Sequence, residues 1–445
     1  MKKLTSLLLC FVMLLGICLS FSGCSNKKDS VYLLNFKPES AKAFEKIAEA
    51  YEKETGIHVK VVTAAANTYE QTLKSEVAKN DAPTIFQVNG PIGYETWKDY
   101  CADLTDTKLY SYLTDKNLAI TSEGRVYAIP YVVEGYGIIY NDAIMKKYFA
   151  LSDKKSPLNS VEEINTFEEL KVVVEDMTAN KSKLGIEGVF ASTSLSGGED
   201  WRWQSHLANI PLYYEIYESN PDTDPTMALV KATEIEFKYS DKYKNIFDLY
   251  TENSVTGKNL LGSKSVNDSM AEFALSKCAM VQNGTWAWSQ IKDVNGNTVK
   301  AEDIGMLPIY MGMENEETMG ICIGTESYIA VNSKVSEEKQ KMSIDFLNWL
   351  FSSETGKRYV TEELGFATPF NTFSETEQPD DPLAKEMFRY MNNKEVKTVP
   401  WVFAGFPSEN FKTTFGDALL QYVQGNKTFE ELKETVKNKW QSERK

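Results

Sequence analysis

Runs and periods of apolar residues mark the elements of the first hundred positions. Val31 to Phe36 is apolar apart from Asn35, which predicts a buried strand. Phe44, Ile47, Ala48 and Tyr51 then share one helical face between Ser40 and Thr55, and Gly56 is placed to end that helix. Ile57, Val59 and Val61 alternate with His58, Lys60 and Val62 as a second strand, with His58 on its solvent side. Tyr69, Leu73 and Val77 predict another helix, and Asp81-Ala82-Pro83 turns the chain into a strand over Thr84 to Val88. Strand, helix, strand is the order of a right-handed crossover unit, so the fold class is α/β. Ligands of such sheets sit beyond the carboxyl ends of the strands. That rule singles out Asn35, Lys37 and Glu39 after the first strand and Asn89 after the third, although the same polar residues suit ordinary turns equally well.

Further along, Gly124 to Asn141 is extended and aromatic, and Pro130 excludes a continuous helix there. Within it Glu134 stands among apolar and aromatic neighbours, where a carboxylate is costly unless it is paired or wetted by a cleft. Both readings are open. Thr166-Phe167-Glu168-Glu169 and Thr428-Phe429-Glu430-Glu431 have the pattern of capping boxes that open helices. Gly185 to Trp203 reads as a short strand, a Gly-rich turn and an aromatic pair, and Asn220 to Asp224 as a surface loop. Phe346, Leu347, Trp349 and Leu350, and later Phe415, Leu419 and Tyr422, mark the core faces of two late helices.

Aromatic residues cluster beside turn signals. Trp286 and Trp288 follow Asn283-Gly284, and two residues so spaced are hard to bury together on one face of a helix or strand. Trp201 and Trp203 follow Gly197-Gly198, while Trp401, Phe403 and Phe406 lie around Pro400 and Pro407. Such rings serve either as packing between elements or as flat apolar platforms in a cleft. A platform set among amides and carboxylates suits a sugar ring, whose axial face is apolar and whose rim is hydroxylic.

The ends and the composition narrow the setting. Residues 1–23 read as a signal peptide: Lys2 and Lys3, then an apolar stretch from Leu7 to Phe21, then Ser22-Gly23 before Cys24. Small residues before a cysteine resemble a bacterial lipoprotein cleavage site, which makes Cys24 the expected point of lipid attachment; an uncleaved anchor helix is the alternative. Residues 24–30 are polar and suit a tether. The rest of the 445-residue chain is long enough for two or three packed units. A net charge of −15 with no basic stripe argues against a nucleic-acid partner. Beyond the signal, Cys101, Cys278 and Cys322 cannot all pair and read as buried thiols. Only His58 and His206 are available as histidines, which argues against His-rich metal sites and weakens any Ser-His triad; neither a metal nor a cofactor is expected.

Two familiar motifs fail on inspection. Gly257 to Lys264 has phosphate-loop spacing but carries Ser263 where the lysine belongs, and Asp293, Asn295 and Asn297 begin a calcium-loop pattern that Gly296 and the missing twelfth ligand break.

Taken in order, several segments resemble the family 1 extracellular solute-binding proteins of ABC sugar importers, the maltose-binding-protein-like group. They are the lipoprotein start, Phe44 to Val61, Asp81-Ala82-Pro83 with Ile85 and Phe86, Tyr127 to Asn141, and Ala279 to Trp288. Gly305-Met306-Leu307-Pro308, Phe346 to Gly356 and Leu364-Gly365-Phe366 continue the series. The resemblance implies a type II periplasmic-binding-protein-like fold of two interleaved lobes: 31–133 with 325–366, and 136–320 with 370–445, joined by a hinge of three segments. It also implies that Trp286 stacks on a sugar, that Glu134 reaches a sugar hydroxyl, and that Trp201 lies near another platform. Lys37 and Glu39 only roughly replace the family's Asp-Lys pair, and the tryptophan expected near Asn89 is missing.

The function so implied is a monomeric, non-enzymatic receptor, lipid-anchored outside the cell, that delivers a sugar, expected to be an oligosaccharide, to a permease with a separate ATPase. An extracellular glycosidase, and a receptor for a peptide or other non-sugar solute, are the competing readings.

Overall fold

The computed structural model describes residues 30–65, 68–219 and 221–444. The segment holding the signal, Cys24 and most of the tether lies outside these residues. Strand β1 (Val31–Asn35) is buried along its whole length, as a central strand covered on both faces must be. The helix Ala41–Thr55 follows and buries Phe44, Ile47, Ala48 and Tyr51; it ends at Gly56, whose φ of 74° is the left-handed cap that glycine adopts without strain. Strand β2 (Val59–Thr63) pairs parallel to β1 from Val31↔Val59 to Asn35↔Thr63, and β3 (Ile85–Asn89) joins on the other side, also parallel. His58 is exposed, with Nδ1 2.9 Å from a Glu52 carboxylate oxygen.

The chain then adds the hairpin β4 (Ile120–Ser122) and β5 (Arg125–Pro130), and leaves the first sheet. Strand β6 (Glu134–Asn141), only four positions after Pro130, belongs to a second sheet. There it pairs antiparallel with β7 (Met280–Gly284), β8 (Ile304–Leu307) and β9 (Met319–Gly324), and β9 carries β11 (Lys397–Val399) in parallel. From β9 the chain returns to the first sheet, where β10 (Ser327–Val331) slots between β3 and β5. The result is a six-stranded sheet in the order β2-β1-β3-β10-β5-β4 and a five-stranded sheet centred on β6. This is a two-lobe α/β fold, and each sheet has its own apolar clusters on its faces. The late helix Glu337–Ser352 buries Phe346, Leu347 and Leu350 in the first lobe; Glu409–Val423 and Phe429–Arg444 pack on each other in the second. Cys101, Cys278 and Cys322 are buried free thiols. Among the described residues no helix is long and apolar enough to cross a membrane.

Three local readings of the sequence are corrected. The strand expected after Gly185 is absent; Phe190 makes only isolated bridges to Ser254 and Met280, and the following serines bond to neighbouring loops and helices instead of to a ladder. Asn283-Gly284 is the end of β7, paired with Gly137 and Tyr136, and makes no turn. Of the two capping boxes, Thr428 with Glu431 is complete, whereas Glu169 turns back to the Asn165 amide instead of the Thr166 amide. A further box, Ser265 with Asp268, escapes the usual pattern because Asp stands in place of Glu or Gln.

Candidate functional site at the cleft

On the first-lobe side the site begins where β1 ends. Asn35 Oδ1 accepts from the Lys37 amide at 3.0 Å, while its Nδ2 donates to the Lys37 carbonyl at 2.8 Å and to Thr63 Oγ1 at 3.1 Å. Asn35 therefore shapes the loop and so aims Lys37. The Lys37 ammonium donates to both Glu134 oxygens, at 2.9 and 3.0 Å, with the two residues 5% and 4% exposed. Burial alone would lower the Lys37 pKa, but the Glu134 and Glu39 carboxylates outweigh it and the net shift is upward. Glu39 stands 4.0 Å from the same ammonium, and its carboxyl is held above the usual range, chiefly by burial. Glu134 is thus ion-paired, and it also lines the cleft cavity. Asn89 ends a polar chain: its Oδ1 accepts from Gln87 at 2.7 Å, and Gln87 accepts from the Tyr131 hydroxyl at 2.6 Å.

The opposing wall is aromatic. Trp286 follows β7 and folds back over Gly284, where a Cβ would come within 2.2 Å of the indole; only glycine leaves room for that ring. Trp201 lies 5.8 Å from Trp286 between ring centres, His206 4.7 Å from Trp201, and Trp401 meets Trp286 edge-on at 6.3 Å. Phe403 stacks on His206 at 4.4 Å. Trp401 and Phe403 are 4% and 1% exposed, so they back the wall, whereas Trp286 and Trp201 are half-buried. The Tyr136 hydroxyl donates to the His206 carbonyl at 2.8 Å and ties the wall to β6.

Trp203 lies apart from this group. Its indole N–H donates to the Ser194 carbonyl at 3.0 Å and its ring packs on Phe247 and Tyr250 in the lobe core. Two positions along a helical turn rotate a side chain by well over 90°, so the neighbours in sequence face opposite ways. The turn itself is wide: Arg202–Leu207 is π-helical, and Pro211 in the following helix has no N–H to offer the Leu207 carbonyl. His206 and Arg202 reach the site region through that turn. Periodicity gave no sign of them, since a π-turn has no sequence period of its own.

Beside Glu134 and Trp286 the cleft holds a cavity of about 600 Å³, lined also by Glu39, Thr285, Trp288 and Phe366. Further along, the lobes touch: Gly90 has a φ of 65°, its amide donates to the Glu326 carbonyl, and a Cβ there would lie 2.9 Å from that of Ala404. Among the described residues there is no group of three His, Cys, Asp or Glu side chains fit to hold a metal ion. The arrangement offers flat apolar surface on one side and fixed hydrogen-bonding groups on the other.

Two α/β lobes around such a cleft define the class of two-lobe periplasmic-binding-protein-like folds. A model of the bacterial extracellular solute-binding proteins matches residues 46–386, and the chain belongs to that family. It is 34% identical over 152 residues to the melibiose/raffinose/stachyose-binding protein MelE of Bacillus subtilis, covering 31% of this chain and 35% of that protein. It is 26% identical over 289 residues to the multiple sugar-binding protein of Streptococcus mutans, covering 63% of each. Both matches span less than two thirds of the relatives' lengths. The solved structure of the solute-binding protein RafE in complex with raffinose shares the fold at a TM-score of 0.69, with 19% identity over 94% of this chain and 100% of that one.

Asp200, the residue before Trp201, generates a pH prediction. It is 5% exposed and packs against Gly416, and burial, aided by the Asp417 and Glu199 charges, raises its pKa to about 6. Between roughly pH 4, the unfolded carboxyl value, and about 6 the folded protein keeps a proton that the unfolded chain releases. Stability from this group is therefore present at low pH and lost as pH rises through that window, by about 3 kcal/mol. Urea unfolding at a series of pH values is expected to show this fall in the native protein and a flatter profile in Asp200→Asn; parallel profiles would remove Asp200 as its source.

Proposed function

We propose that this chain is an extracellular receptor that captures a sugar between its lobes and passes it to an ABC permease served by a separate ATPase. The observation that carries the reading is the Trp286 indole, held over Gly284 beside the Lys37–Glu134 pair and facing the cleft cavity. An apolar ring face stacks on the indole while charged and amide groups take the hydroxyls. The names of the relatives, a melibiose/raffinose/stachyose-binding protein and a multiple sugar-binding protein, favour an oligosaccharide. On this reading Lys37, Glu39, Asn89, Glu134, Trp201 and Trp286 contact ligand, Asn35 positions Lys37, and Trp401 and Phe403 support the wall. Catalysis is disfavoured because Glu134, which lines the cavity beside Trp286, is ion-paired with Lys37.

A receptor that must release its cargo is expected to bind near the micromolar range, about 8 kcal/mol. Loss of an aromatic anchor contributing roughly 2 kcal/mol weakens binding at least tenfold. Calorimetry with melibiose, raffinose and stachyose should find one bound by the native chain, and Trp286→Ala should weaken it to that degree with unfolding still cooperative. Unchanged affinity would move the platform to Trp201, and release of reducing ends from the sugar would favour a glycosidase.

The crossings Val133 to Tyr136, Gly320 to Gly324 and Phe366 to Phe370 are the proposed hinge. Val133 to Tyr136 is supported by the short passage from β5 to β6, and Phe366 to Phe370 by the bridge Val133↔Ala367; Gly320 to Gly324 lies within β9 of the second sheet, and the chain passes to β10 just beyond it, at 325–326. Ligand touches both lobes only when they approach, so it favours the closed form. X-ray scattering is expected to give a smaller radius of gyration at saturating sugar, and superimposable profiles would count against closure.

The proposed location is the outer face of the membrane, with a lipid on Cys24 and a monomer in solution. Several acyl chains on one cysteine anchor firmly where one does not. Cys24→Ala should lose lipid labelling and appear in the soluble fraction; unaltered retention would favour an uncleaved anchor helix.

A further inference from the structure

The cleft cavity does not stop at Trp286. That tryptophan immediately precedes the helix Ala287–Lys292, and Trp288, Ser289 and Lys292, neighbours on one face of the helix, line the same cavity. Ala384 and Met387 continue the lining from the helix Pro382–Asn392, which packs on the first. Glu354, Lys357, Arg358 and Thr361 line it as well, from one face of the segment that follows the first-lobe helix Glu337–Ser352. Cavities of roughly 300–1,000 Å³ enclose whole ligands of drug size. At about 600 Å³ this one exceeds what a single sugar ring on Trp286 fills.

Two groups in this extension have the chemistry of a sugar contact. Trp288 packs on an apolar cluster yet stays half-buried, so part of its indole borders the cavity. Asp381 caps the helix Pro382–Asn392: its Oδ1 accepts from the Leu383 and Ala384 amides at 3.0 and 2.9 Å, which fixes the carboxylate. Its Oδ2 has no donor among the described residues, and it lies beside Gly365 of the same lining, where a Cβ would be 3.4 Å away. A ring face stacks on an indole and a hydroxyl donates to such an oxygen. Charge narrows the choice of ring. Carboxylates outnumber basic groups eight to three along the lining, and Lys357 is already paired with Glu377 at 2.7 Å, so an anionic sugar enters against the local field.

We propose that the cavity beyond Trp286 is a second sugar subsite, with Trp288 as its platform and Asp381 as a hydroxyl acceptor, and that it admits an uncharged ring and rejects a uronate or phosphorylated one. The proposal rests on the sugar reading above. It adds that the ligand spans at least two linked rings.

Calorimetry takes whichever of melibiose, raffinose and stachyose the native chain binds most tightly, and compares it with galactose, glucose and fructose, the rings of which these sugars are built. The oligosaccharide is expected to bind about tenfold or more tightly than any single ring. Trp288→Ala should weaken it about tenfold, Trp288→Phe much less, and Asp381→Ser, which keeps a helix cap, severalfold. Oxidation of its terminal galactose C6 to the carboxylate should weaken binding by the native chain about tenfold at low salt, with the gap closing as ionic strength rises. Undiminished affinity in Trp288→Ala or in Asp381→Ser, or single rings bound as tightly, would overturn the subsite and leave the sugar reading intact. Equal binding of the oxidised sugar, or a gap that salt does not close, would overturn its selectivity. No binding of any of these sugars by the native chain would remove the sugar reading and the subsite together. Should Trp288→Ala fail to fold, Asp381→Ser decides.

Discussion

The Lys37–Glu134 pair is the interaction on which the arrangement of the cleft depends. Lys37 belongs to the loop after the first strand, and Glu134 is the first residue of the strand on which the second sheet is built. The pair therefore joins the lobes at the point where the chain crosses between them. Both partners are almost fully buried, so neither is stable without the other: removal of one leaves a desolvated charge, which typically costs 3–5 kcal/mol. The Asn35 side chain fixes the loop that presents Lys37, and Glu39 adds negative charge on its far side.

Against that polar anchor the second lobe sets an aromatic wall whose shape rests on backbone features more than on the rings themselves. Gly284 lets the Trp286 indole lie against the strand end, and the π-turn at Arg202–Leu207 brings Trp201 and His206 to one side while Trp203 enters the core. Burial holds the His206 imidazole well below its usual pKa, so it contributes a neutral ring to the stack. Trp401 and Phe403, from a segment far along the chain, complete the packing behind it.

Much of this was legible in the chain itself. The periods of Phe44 to Tyr51 and of Tyr69 to Val77, the glycine at 56 and the proline at 130 define elements through local rules, and the structure has those elements within a residue or two. The site was less legible. Glu134, Lys37 and Trp286 attracted notice as polar or aromatic residues in unexpected company, but their mutual contact joins positions 97 and more residues apart. Trp203 looked equivalent to Trp201 because spacing alone does not reveal which way a π-turn rotates a side chain.

What the sequence determined by itself is the α/β class and those elements that carry a clear hydrophobic period, cap or turn residue, since such signals act over a few neighbours. The tertiary structure alone decided that β10 returns to lie between β3 and β5, that Lys37 meets Glu134, and that Arg202 is buried against the Trp201 ring. Each of these outcomes depends on contacts between segments distant in the chain. Burial, pairing and desolvation are properties of such contacts, and no local pattern encodes them.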